Sequence, residues 1–373
     1  MTTWSVVNDD TREKPWRERL PRVVLLGILA LVVVSLGAAL FPGSPKEPAE
    51  PPFSEQARAA ALTDTMQLLA AGEQLGSSAV GTERRSLTGT VSLLTTQARA
   101  LLVPGQGAPA PAAGAGGSAS PSPSAAPVPS SAPALAAALA ASGSRRLADA
   151  AVAEGGMARL LASVGTAQLL QSASLASAAG TAVPVSTDPT APQLSGACPA
   201  APATASPAAG QAQGGADLAA ALAATVRTER ETTYGYQVAL TRLDGDAAKL
   251  AAEQLARHEA LAGAAESLSL MRCAPVAPRE AGYTLAPAFL SAPAAGLAGL
   301  EAGALPVYAD LVALSDGETR QWAIAGLVAS ARRAVLWGAD AGPLPGLGAD
   351  PAALPPLPTP APTPVPSPAS GTP

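Results

Sequence analysis

The chain has 373 residues and a formal net charge of −5 at pH 7, with 14% charged residues and 3% aromatics. A charge-poor, acidic chain excludes nucleic-acid binding, which needs a basic face, and so few rings exclude a large aromatic core. Gly and Pro number 35 and 38, with many prolines in runs that read as linker; the apolar 48% is mostly Ala, Leu and Val, a composition that favours helix over strand.

Val23 to Phe41 form an uncharged apolar run. At 1.5 Å per residue such a helix spans about 28 Å, close to the roughly 30 Å hydrocarbon core of a bilayer. Arg12, Lys14, Arg17, Arg19 and Arg22 precede it, and Lys46 and Arg58 are the nearest basic residues after it. The positive-inside bias therefore predicts a cytoplasmic tail at 1–22, a transmembrane helix at 23–41 and export of everything beyond. A cleaved signal peptide is the other reading, with Gly37 and Ala39 as the small residues, but the run exceeds the roughly 7–15 residues of a signal-peptide core. The expected location is the cell membrane, single-pass, with the C-terminal bulk outside the cytoplasm.

Helical periodicity begins near Ser54. Ser54–Gly76 and Glu83–Val103 carry leucines at helical spacing, and the pattern resumes at 134–154 and 156–179, broken at Gly155-Gly156. Between these pairs, 104–133 is rich in Pro, Gly, Ser and Ala and reads as a disordered insert. A second linker covers 181–214. Helical segments follow at 215–242, 246–271, 293–314 and 318–339, and the stretch 342–373 reads as a disordered Pro-rich tail. The predicted fold is all-α, with one helical bundle at 54–180 and another at 215–341.

Both sets share one layout: helix, short turn, helix, long connection, helix, short turn, helix. The connection 272–292 is long enough to run the length of a helix and restart at its opposite end. A four-helix bundle with one such crossover is the ferritin-like arrangement; an up-down-up-down bundle with a loose middle loop is the alternative.

The second set carries further detail. Its first helix reads LAATVRTERETTYGYQVAL (Leu222–Leu240), its second LAAEQLARHEALAGAAESL (Leu250–Leu268), and its last ends ASARRAVLWGAD (Ala329–Asp340). A Glu before Tyr-Gly-Tyr, a His in the second helix, and Arg with Trp in the fourth resemble the ferritin-like domain of unknown function found in actinobacterial cell-envelope proteins. The resemblance covers about 215–345. It implies a ferritin-like four-helix bundle and no established activity. The first set would be a diverged copy, on layout alone.

A ferritin-like di-metal site takes a Glu from each of two helices and a Glu-x-x-His from each of the others. This chain has one histidine, His258. Leu255 stands three residues before it, and Ala329 and Arg332 occupy the matching pair on the fourth helix. The expectation is no metal site and no cofactor. In its place each helix puts one ionisable group on its apolar stripe: Glu229, His258, Glu301 and Arg332. These are predicted to form a buried polar cluster, since buried charges must be paired. Glu231 in place of Glu229, a neutral core His258, and Arg333 inward of Arg332 are the competing assignments. Tyr234, Tyr236 and Tyr308 are the candidate pocket.

Cys198 lies in the 181–214 linker and Cys273 just after the second helix of the set. Two cysteines outside the cytoplasm are expected to pair. No P-loop, no Gly-x-Ser-x-Gly elbow and no zinc-protease histidine pair is present. The function expected is that of a membrane-anchored, non-enzymatic interaction or scaffold module with an envelope-protein or cell-wall partner. A small-ligand binder or enzyme using a pocket of the C-terminal bundle is the alternative.

Overall fold

A computed structural model describes residues 50–102, 128–186, 189–194, 198 and 217–358. The predicted transmembrane segment 23–41, most of the insert 104–133 and much of the linker 181–214 lie outside the described residues. Among the described residues there are eight α-helices and no strand. They are α1 (Phe53–Ser78), α2 (Gly81–Leu101), α3 (Ala132–Val152), α4 (Gly155–Ala178), α5 (Leu218–Ala239), α6 (Gly245–Met271), α7 (Pro293–Leu314) and α8 (Gly317–Leu336).

The helix starts follow from local chemistry. Asp217 caps α5, accepting from the Ala220 amide at 2.6 Å, and Ser131 caps α3 ahead of a proline in its first turn. The four short turns end on glycines that open α2, α4, α6 and α8. Gly81, Gly155, Gly245 and Gly317 have φ of 59°, 30°, 53° and 50°, a left-handed backbone that side chains with a Cβ resist.

Within the second set α5 packs against α6 and α7, and α7 against α8. The partners across α5 and α7 run in opposite senses: Glu229 lies by Tyr308, and Tyr236 by Glu301. Arg272, just past the end of α6, bonds Thr319 and Asp316 at the start of α8. So α6 and α7 run parallel, and residues 272–292 return the chain to the starting end. The first set has the same neighbours, α1 on α2 and α3, and α3 on α4, and it adds close packing of α2 on α4. Gly143 and Gly165 let α3 and α4 approach so closely that a Cβ on either would lie within 2.9 Å of the other's carbonyl oxygen.

All these helices fall in one compact unit that begins at Pro52. The joint between the sets is apolar, with Leu161 and Ala158 in one cluster with Leu305, Tyr308 and Leu311. Arg159 pairs with Asp310 at 2.6 Å, and Arg320 donates to the carbonyls of Val312 and Ala153, tying α4, α7, α8 and the end of α3.

One helix among the described residues, Pro293–Leu314, is long and apolar enough to cross a membrane by length and composition. Its place explains that composition. It is α7, wedged among α4, α5 and α8, and it carries the fully buried Glu301.

The stretch after α8, read from composition as disordered from 342 on, is seated on the first set as far as Pro358. Its carbonyls accept hydrogen bonds from helix side chains. Gln97 bonds Pro343 at 3.0 Å, Ser163 bonds Pro345 at 2.8 Å, Arg159 bonds Gly346 at 2.7 Å, and Arg99 bonds Pro355 at 2.9 Å. A Pro-rich segment offers carbonyls without matching N–H groups, so fixed donors can hold it with little secondary structure of its own beyond one 3-10 turn at Pro351–Ala353.

Candidate functional site

The interior of the second set holds a chain of ionised and hydroxylated side chains. Glu229 comes from α5, His258 from α6, Glu301 from α7, and all three are 0% exposed. Nδ1 of His258 lies 2.7 Å from Glu229 Oε2, and Nε2 lies 2.8 Å from Glu301 Oε1. A neutral imidazole would turn a lone pair on one carboxylate. Only the imidazolium donates to both. Burial pushes the His258 pKa down, but the hydrogen bonds to Glu229 and Glu301 outweigh it and hold the group above its ordinary value.

The remaining lone pairs are taken up in turn. The Tyr308 hydroxyl donates to Glu229 Oε1 at 2.5 Å, and the Tyr236 hydroxyl donates to Glu301 Oε1 at 2.8 Å. Trp337 Nε1 donates to the Tyr236 oxygen at 2.7 Å. Ser330 Oγ lies 3.1 Å from Glu301 Oε2. Arg333 Nε donates to Glu301 Oε1 at 2.8 Å. Burial raises the Glu301 pKa, yet His258 and Arg333 bring it below the usual carboxylate value. Burial also lowers the Arg333 pKa, and Glu301 more than restores it. Both tyrosines are held above their ordinary pKa by burial and the adjoining carboxylates, so their hydroxyls stay protonated donors. Two carboxylates, one imidazolium and one guanidinium sum to zero charge.

The structure thus brings Glu229, His258 and Glu301 together, and it corrects the fourth member. The arginine at the cluster is Arg333; Arg332 is on the exposed face of α8. The stripe Trp322, Ala325, Ala329, Arg332, Leu336 is out of phase, and Leu336 is 53% exposed. The inward line is Trp322, Gly326, Ser330, Arg333, Trp337. Its weak signal is a glycine and a serine where a core stripe would carry apolar residues. Gly326 is required there because a Cβ would stand 2.1 Å from the Tyr308 ring.

The candidate pocket is corrected as well. Tyr236 and Tyr308 are both fully buried and spent on the carboxylates. Only Tyr234 lines a cleft, about 540 Å³, with Tyr283, Arg230, Glu259 and Glu266. Its ring meets Tyr283 at 5.8 Å between centroids. Cys198 and Cys273 are joined by a disulfide, 75 residues apart in sequence.

A metal ion does not fit this arrangement. Glu229 and Glu301 sit on opposite edges of the imidazole, so they cannot converge with one ring nitrogen on a single ion. Arg333 places a fixed positive charge on the oxygen that would have to ligate. Among the described residues no group of three or more His, Cys, Asp or Glu could hold a metal ion. The first set is built differently: its buried arginine, Arg146, pairs with the half-buried Asp64 and Asp149. There Gln168 donates to Gln97 at 3.0 Å, a neutral amide pair.

The segment that carries the cluster is recognisable. Residues 221–349 are a DUF4439 domain, described as a domain of unknown function. The match runs from the first turn of α5 to just past the Gly346 contact, and so includes every member of the cluster. No curated protein and no solved structure matches the chain.

Proposed function

We propose that this is a membrane-anchored, extracytoplasmic protein whose DUF4439 domain is a ferritin-like bundle without a di-metal site. It acts as a non-enzymatic interaction or scaffold module of the cell envelope. One observation carries the reading: His258 bridges Glu229 and Glu301 in a closed, charge-balanced and fully buried cluster. Glu229, His258 and Glu301 are each turned on another member of the cluster and are fully buried, and only the Arg333 guanidinium borders a cleft. The ferritin-like assignment is supported by parallel α6 and α7 joined by the long 272–292 connection. The anchor is supported by the apolar run 23–41 with five basic residues before it, and an actinobacterial envelope by the resemblance at Leu222–Leu240.

The test uses the full chain purified from membranes of cells grown in iron-rich medium. The expected metal content is well under one ion per chain, with no ferroxidase activity, and photo-crosslinking in intact envelopes should capture a discrete partner. Protease added to cells stripped of wall should digest the chain beyond residue 41. Stoichiometric iron or manganese, or complete protection from protease, overturns the reading.

A second reading, small-ligand binding by the same domain, rests on the polar cleft at Tyr234 and Tyr283. A ligand seated there must raise the melting temperature by mass action, and Tyr283→Ala should abolish the shift.

A further inference from the structure

The two helix sets differ at one edge. In the first, α2 and α4 pack closely, whereas the corresponding pair in the second, α6 and α8, makes no comparable contact. Residues 191–194 lie over this open edge, with Leu194 packed against the core. The Cys198–Cys273 disulfide fastens the chain four residues later to the C-terminal end of α6. Between residues 191–194 and the helices is a cleft of about 580 Å³, within the usual range for small-molecule sites.

Its walls combine two chemistries. Leu194, Leu261, Ala264 and Trp322 are apolar. Arg257 from α6 and Arg333 from α8 both line it. Arg333 gives Nε to Glu301, while its Nη2 is buried with no hydrogen-bond partner. A buried unsatisfied donor of this kind calls for a partner. Arg257 has only a 3.4 Å contact to Gln254 and no acidic partner among the described residues.

We infer that this cleft binds a small amphipathic organic acid. Its carboxylate would lie between Arg257 and Arg333, and its apolar body against Leu194, Leu261 and Trp322. The planar guanidinium fork matches a carboxylate. The cluster behind Arg333 is already neutral, so Arg257 supplies one further positive charge and a monoanion balances it. The site is distinct from the Tyr234 cleft and does not depend on the scaffold reading.

The experiment titrates the full chain, held in nanodiscs, with 4-phenylbutyrate and octanoate by calorimetry. The uncharged control is 4-phenylbutanamide and the bare anion is inorganic phosphate. Empty nanodiscs correct for partitioning. At least one acid should bind with the arginine side-chain resonance of Arg333 shifted. The amide and phosphate should bind at least about tenfold more weakly, and Arg257→Ala should cost the acid about tenfold or more. Arg257 is exposed, so the variant should keep the parent's helicity. No binding of either acid at about 10 mM overturns the inference, since even a millimolar ligand would saturate there. Equal binding of acid and amide, or indifference to Arg257→Ala, overturns it too.

Discussion

Arg333 Nε and Glu301 Oε1 stand 2.8 Å apart with side chains 7% and 0% exposed. That contact joins α8 to a carboxylate that also receives His258 and Tyr236, so the arginine completes the charge balance of the core. Removing it leaves Glu301 with one cation fewer in a site that water does not reach. Arg333→Ala is expected to cost about 3–5 kcal/mol, the usual result of breaking a buried ion pair. Arg332→Ala, on the exposed face, should cost about 1 kcal/mol or less. Urea unfolding of both variants measures the contrast, and equal losses would place the guanidinium outside the core.

The pH dependence has a definite sign. His258 has a folded pKa above the ordinary 6.5, so its stabilisation is complete below 6.5 and is lost as pH rises through the folded value. Glu301 has a folded pKa below the ordinary 4.5, so its stabilisation is present above 4.5 and is lost as pH falls through the folded value. The cluster therefore stabilises most between about pH 4.5 and 6.5. Above that window the loss should reach at most about 1.4 kcal/mol per pH unit. The chain has a single histidine, so its imidazole NMR signal is unambiguous. Titration of that signal at the free-peptide value would refute the doubly bonded imidazolium.

Truncation after Ala341 removes the carbonyls that Gln97, Ser163 and Arg159 bond. Gln97 and Ser163 are both 0% exposed with this stretch in place, so its removal takes a partner from each and uncovers them. A loss of about 0.5–1.5 kcal/mol per hydrogen bond is expected. Thermal melts of chains ending at 341 and at 358 should separate them, the longer one behaving like the full chain. Identical melts would mean the docked stretch contributes nothing.

Cys198 and Cys273 close a loop of 75 residues. In the chain-entropy account such a bridge stabilises by about 4 kcal/mol. Peptide mapping without reduction should recover the linked pair, and reduction should lower the melting temperature. Full alkylation of the native protein by a thiol reagent would contradict the bond.

Sequence alone determined the helices, the two matching layouts and the breaks between them, because glycine turns, prolines and apolar spacing act locally. It also determined that a two-histidine metal site is impossible, since the chain has one histidine. Glu229, His258 and Glu301 were legible as inward residues from neighbours three and four positions away. Tertiary structure decided the rest. Helical spacing fixes the distance between stripe residues but leaves the rotational phase open, and on α8 the phase is set by the Tyr308 ring against Gly326. That rotation brings Arg333 rather than Arg332 to Glu301. The roles of Tyr236 and Tyr308 depended on which carboxylates faced them. The docking of 342–358 depended on donors from α2 and α4 far away in sequence, a contact that no local pattern encodes.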